Sequence, residues 1–270
     1  MKTLRYVLLL LLSTGPAQAE EPPPAATAAD VSAAATTAAP TPPAIEQEVV
    51  ARLRASPAAA DAQELTADGK PVMALWRAET LGQAQGAVVL LHDIGAHADW
   101  PGVVGPLRQE LPRHGWHTLS LQLAAAEETP ARLRAALAFL AGKNIRNIIL
   151  LGHGAGAQAA LRHAVDNKGS VNGLVLIAMG QTEDPTLLEQ AAVPIYDIYG
   201  SADRLEVRTA GAQRLSAGRR LVRRADTELP RYRQFVVEAA DHFFNRQTGI
   251  LQRRVQGWLR SHAEGMEIRL

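Results

Sequence analysis

From residue 86 onward the chain alternates short apolar runs with helix-like stretches, and this alternation limits the possible folds more than any other feature. The apolar runs are "GAVVLLH" (86–92), "WHTLSLQL" (116–123), "NIILLGH" (147–153), "VNGLVLIAMG" (171–180), "VPIYDIYG" (193–200) and "YRQFVVEAA" (232–240). Helical patterns lie between and after them, near 102–113, 129–142, 155–166, 185–190, 205–222 and 248–262. The central runs are apolar at nearly every position, as strands buried on both faces require. Strand–helix alternation with right-handed crossovers predicts an α/β fold built on a doubly wound, mostly parallel sheet. Ligands of such sheets bind beyond the carboxyl ends of the strands. The residues that follow each run are therefore the places to look for chemistry.

The chain has 270 residues, 47% of them hydrophobic, enough for one domain of roughly 200 residues with extensions. A net charge of +1 gives no field that would gather nucleic acid. Only 4% of residues are aromatic, too few for a base-stacking surface. Cysteine is absent, which excludes disulfides and a lipidated N-terminal cysteine.

Residues 1–19 read as a signal peptide. Lys2 and Arg5 form the basic start, Val7 to Leu12 the apolar stretch, and Ala17-Gln18-Ala19 the cleavage pattern. The apolar stretch is far shorter than the ~20 residues of a membrane span. Cleavage after Ala19, a periplasmic or secreted location and no stable membrane span after cleavage are the expectations. Residues 20–44 are almost entirely Ala, Pro, Thr and a few acids, a composition that cannot offset the entropy of ordering, so a disordered tether is expected. The domain then occupies 45–270. Ile45, Val49 and Leu53 recur at helical spacing, and Asp68-Gly69 between two short strand-like runs predicts a hairpin.

At the end of the run 147–153 stands Gly152-His153-Gly154-Ala155-Gly156, leading into a helix. A G-x-S-x-G elbow keeps its nucleophilic serine at the middle position. Here that position is Gly154. Downstream, Asp203 follows the run 193–200 and His242 follows 232–240. Upstream, "LLHDIGAHADWPG" (90–102) leaves the run 86–91.

This order of strand-HxxG, strand-GxxxG-helix, strand-GSxD and strand-xxDH resembles the α/β-hydrolase superfamily over about residues 63–262. "LLHDIGAHADWPGVVGPLRQELPRHGWHTLSLQL" with "GHGAGA" is similar, more narrowly, to an exported bacterial family of unknown function grouped with those hydrolases. The resemblance implies a triad acid at Asp203, a triad base at His242, oxyanion-hole N–H groups at Ile94 and Ala155, and an oxyanion-loop histidine at His92. It also implies a nucleophile at Gly154, where the side chain is missing. The short stretch between 180 and 193 implies that no lid domain covers the pocket.

Gly154 relieves the backbone strain a side chain would carry in such a turn, about 1–3 kcal/mol. It also removes the attacking atom, and loss of the serine from a comparable triad costs on the order of 10⁶-fold in turnover. Ser120 and Ser201 are the remaining candidates for a relocated nucleophile. His92, Asp93 and His153 are expected to line the pocket. With no HxxxH or HxH spacing among the histidines, no metal ligand pair is expected, and no cofactor is implied. The residues leave three readings. One is a non-catalytic protein that binds a small molecule or an envelope component. Another is a weak ester or acyl hydrolase in which the His242–Asp203 dyad activates water. The third is a scaffold that works through its tether and arginine face, with an idle pocket. Arg219, Arg220, Arg223 and Arg224 form a basic helix surface that is either a solvated face or a contact for anionic envelope material.

Overall fold

In the computed structural model, the described residues are 42–182, 184, 186–224 and 231–263. The expected signal peptide 1–19 and all but the last three residues of the expected tether lie outside them. No described helix is long and apolar enough to cross a membrane.

Eight strands form one sheet. They are β1 (Ala62–Ala67), β2 (Lys70–Arg77), β3 (Gly86–Leu91), β4 (Trp116–Leu121), β5 (Ile148–His153), β6 (Gly173–Ile177), β7 (Ile195–Gly200) and β8 (Tyr232–Val237). Their order is β1-β2-β4-β3-β5-β6-β7-β8. Pairing is antiparallel at β1/β2 and β2/β4 and parallel from β4 to β8. The expected doubly wound sheet is thus present. Every residue of β3, β5, β6 and β7 is buried, which is why those segments read as unbroken apolar runs. The hairpin turn is Asp68-Gly69, both with positive φ (46° and 79°). That is the backbone twist a two-residue hairpin loop requires.

Helices α3 (Thr129–Gly142), α4 (Ala155–Asp166), α5 (Leu187–Gln190) and α6 (Leu205–Arg224) pack on one face of the sheet through Leu133, Leu140, Leu161, Leu187 and Leu221. Helices α2 (Val104–Glu110) and α7 (Thr248–His262) cover the other through Leu107, Leu251, Val255 and Trp258. Among the described residues only the short α5 stands between β6 and β7, so no lid covers the sheet there.

Some boundaries differ from the periodicity. The first helix, α1, begins at Pro42 rather than Ile45 and runs to Arg54, because prolines suit a helix's first turn, where their missing N–H is not needed. The helix expected over 102–113 divides into α2 and a 3-10 turn, Leu111–His114, around Pro112. Gly115, with φ 81°, ends it.

Buried ion pairs tie these layers together. Arg132 binds Glu46 of α1, Glu128 and the Gln122 carbonyl, fixing α1 against the sheet edge. Arg108, on α2, joins Asp61 and Asp99. Arg214 of α6 holds Asp197 of β7 through Nε (2.8 Å) and Nη2 (3.2 Å), and Tyr232 Oη (2.6 Å) and Gln234 Nε2 (2.9 Å) also donate to that carboxylate. Removing one partner of such a pair leaves an uncompensated buried charge. Arg214→Ala is expected to destabilise the fold by about 3–5 kcal/mol, with a smaller loss for Arg214→Lys, both read from urea unfolding midpoints.

Candidate functional site

The chain leaves β3 toward β4 on one side and returns to β5 on the other. The carboxyl ends of β3 and β5 therefore flank the point where the winding reverses, the usual place for a ligand crevice. The turn after β3 carries His92 and Asp93, and the turn after β5 carries Gly154 and Ala155. Asp203 follows β7 and His242 follows β8.

His242 Nδ1 lies 2.8 Å from Asp203 Oδ1. The Arg204 N–H donates to the same carboxyl oxygen at 2.7 Å, and Asp203 Oδ2 is buried with no hydrogen-bond partner among the described residues. The acid and base inferred from sequence order are thus in contact. On the other side of the ring, Nε2 lies 3.0 Å from Asp93 Oδ2. The second oxygen of Asp93, Oδ1, accepts the Ala155 N–H at 2.7 Å. Asp93 therefore engages both groups that a serine hydrolase keeps for its nucleophile and its oxyanion.

Gly154 makes this possible. It sits at φ 55°, ψ −117°. A Cβ built there would fall 2.1 Å from Asp93 Oδ1 and 2.2 Å from Asp93 Cγ. The carboxyl group fills the volume that a nucleophile's side chain would take. Sequence reasoning placed Asp93 only among the pocket residues. Its central position depends on an approach between two distant loops, and the vacant elbow was the one available hint.

Charge follows from this geometry. Burial opposes ionisation of Asp93, but the bonds from His242 and Ala155, with the Ile94 N–H, hold its carboxyl well below the usual carboxylate range. Burial likewise opposes a charge on His242, but the two carboxyl groups outweigh it and raise the imidazole to about 9. At neutral pH the ring is an imidazolium between two acids. It has no lone pair with which to accept a proton from water.

The neighbouring histidines behave oppositely. Burial lowers His153 to about 4, helped by the charge on His242, and its Nε2 donates to the His242 carbonyl at 2.9 Å. His92 is also lowered by burial to about 4. Its Nδ1 donates to the Asp93 carbonyl at 2.8 Å while its Nε2 accepts the Leu123 N–H at 2.9 Å. His92 thereby pins the loop that carries Asp93 to the end of β4.

The remaining candidates lie outside this core. Ser120 Oγ donates to the Ala98 carbonyl at 2.6 Å, and Ser201 Oγ accepts the Ala239 N–H at 2.8 Å. Both are engaged in turn structure. Ile94 is 84% exposed. Arg220 pairs with Glu189. An open cleft of about 230 Å³ is lined by Trp100, Gly102, Phe243, Asn245, Arg246 and Thr248. The Phe243 ring, which faces this cleft, also packs edge-on against His153 and His242.

A family model described as "Protein of unknown function (DUF3530)" matches residues 2–131 and 123–261. None of the curated proteins compared matches the chain. Among solved structures, the dienelactone hydrolase of Anabaena variabilis is similar at 17% identity and TM-score 0.61, covering 76% of this chain and 100% of its own. Est1E of Butyrivibrio proteoclasticus aligns at 11% identity and TM-score 0.61, over 75% and 98% of the two chains. A lidless a/b serine hydrolase of Xanthomonas campestris aligns at 18% identity and TM-score 0.59, over 74% and 93%. At these identities the likeness establishes the α/β-hydrolase fold.

The clash at the elbow predicts that Gly154→Ser destabilises the protein by more than the ~1–3 kcal/mol of backbone strain alone. Asp93→Gly in the same chain should recover the excess, measured as a coupling energy in a double-mutant cycle. The opposite shifts of His242 and of the two neutral histidines predict a stability optimum. Above pH 6.5 the folded state retains the His242 proton that the unfolded chain releases, so stability falls as pH rises toward about 9. Below 6.5 the unfolded chain protonates His92 and His153 while the folded one does not, so stability falls toward about 4. Thermal unfolding in chelator-containing buffers should peak near pH 6.5, and His242→Gln should flatten the alkaline side.

Proposed function

The chain is a member of the family described as protein of unknown function (DUF3530) and carries the α/β-hydrolase fold; from that premise we propose that it works by binding a ligand or envelope component at the strand ends, not by serine-type hydrolysis. One observation carries this reading. Asp93 already occupies the Ala155 N–H and His242 Nε2, the donor and the acceptor that acyl transfer must direct at its substrate.

The alternative, water activation by the His242–Asp203 dyad, needs a neutral ring with Nε2 directed at water. Asp93 would first have to leave both of its partners. A carboxylate bonded to an imidazolium and a backbone N–H is a poor candidate for that, since charge-assisted bonds are about twice as strong as neutral ones. The cleft walled by Trp100 and Phe243 gives a ligand room beside these groups, through the contact of Phe243 with His242. At about 230 Å³ it is smaller than the pockets that bury a drug-sized molecule, which favours a small ligand or one end of a polymer.

Export belongs to the same proposal. The basic start, the short apolar stretch and Ala17-Gln18-Ala19 support delivery to the periplasm or beyond. An alanine- and proline-rich tether would then separate the folded domain from its new N-terminus.

The purified protein should resist labelling by a serine-directed fluorophosphonate and show no turnover of short aryl esters. Turnover that disappears in His242→Ala would overturn the binding reading. Intact-mass analysis of protein recovered from the expressing cell should show cleavage after Ala19; retention of Met1 would refute export by this route.

A further inference from the structure

We propose that Asp93, His153 and His242 form a binding site for a divalent first-row transition-metal ion, so that the ligand of this protein is, or is held through, a metal. The inference rests on the binding reading and names the chemistry of the same site. One donor atom from each of the three buried side chains lies within 4.8 Å of the others. Two imidazoles and one carboxylate are the donor set that suits zinc, iron, cobalt or manganese rather than calcium.

The atoms that would not ligate are already engaged by outer partners. A metal-binding histidine typically gives its other ring nitrogen to a carboxylate or a backbone carbonyl, which fixes the tautomer and the direction of the lone pair. His242 Nδ1 is held by Asp203 Oδ1 at 2.8 Å, which leaves Nε2 as the donor. His153 Nε2 is held by the His242 carbonyl at 2.9 Å, which leaves Nδ1. Asp93 Oδ1 is held by the Ala155 N–H at 2.7 Å, which leaves Oδ2. All three side chains are thus already oriented by their outer partners.

The spacing also fits. His242 Nε2 and Asp93 Oδ2 are 3.0 Å apart. An ion bonded to both at about 2.0–2.1 Å would see them at roughly a right angle. The third donor residue, His153, offers a ring nitrogen within 4.8 Å of the other two donor atoms. The ion takes the place of the proton shared by His242 and Asp93, and that proton passes to solvent. Three protein donors leave further coordination positions for an external ligand, as in sites that bind or transform one.

Gly154 gains a second role here. Its missing Cβ lets the carboxylate approach the two rings. The lack of HxxxH or HxH spacing is no obstacle, because the donors come from the ends of three different strands, β3, β5 and β8.

The experiment is a titration of the metal-free full-length mature protein with Co²⁺, followed by its visible absorption, and with Zn²⁺ in competition. The expected result is one ion per chain, intense low-symmetry cobalt bands and displacement by zinc. His153→Ala and Asp93→Ala should abolish the bands. Asp203→Asn, which would reach the ion only through His242, should weaken binding on the order of 10–100-fold. His114→Ala, at a half-buried histidine outside the cluster, should leave affinity unchanged. Circular dichroism of each metal-free variant checks folding, and His153→Gln replaces any alanine variant that does not fold. Bands typical of hexaaqua cobalt, or affinity indifferent to His153 and Asp93, would overturn the inference. Absence of metal binding together with absence of ester turnover would overturn this inference alone, whereas His242-dependent ester turnover would overturn the binding reading beneath it.

Discussion

The carboxyl group of Asp93 and the empty side of Gly154 occupy one space, and the functional end of the molecule is organised around that exclusion. Through Asp93 the loop after β3 reaches the first N–H of α4 and the imidazole after β8, and through that imidazole it reaches the acid after β7. His92 fastens the same loop to the end of β4. Five strand ends are thereby connected by a continuous chain of hydrogen bonds. The elbow keeps the backbone form of a nucleophile turn, with Gly154 at φ 55°, while its contents have been exchanged.

Which force prevails at each group depends on whether burial is compensated. Asp93 and His242 are both buried, and both are charged because each supplies the other's counterion and each has a second partner. His92 and His153 are equally buried and have no carboxylate in hydrogen-bond contact, so burial wins and both stay neutral. Four titratable groups in one small volume thus divide into an ionic pair and a neutral pair. The neutral rings serve as directional hydrogen-bond donors, His92 to the Asp93 carbonyl and His153 to the His242 carbonyl.

Much of the architecture could be read from the chain because the central strands are buried on both faces, so that their periodicity is simply apolar throughout. The hairpin at Asp68-Gly69 was legible for a local reason, since few dipeptides accept two positive φ values. Asp203 and His242 could be singled out because a strand delivers each of them to the same edge of the sheet. The centrality of Asp93 was not legible in this way. It arises from a contact 62 residues apart in sequence, to Ala155, and another 149 residues apart, to His242. No periodicity or local spacing encodes those approaches. The break of the 102–113 segment was not legible for the opposite reason, because Pro112 acts on hydrogen bonding and leaves no trace in an apolar pattern.

Positions 154 and 93 share one volume, so neither can change its occupant alone. A side chain at the elbow would fall on the Asp93 carboxyl, which would have to turn away to admit it. In turning, the carboxyl would give up the Ala155 N–H and the His242 ring together. Filling the elbow and cutting the link between the loops after β3 and β8 are therefore a single event, and the two positions behave as one exchangeable unit.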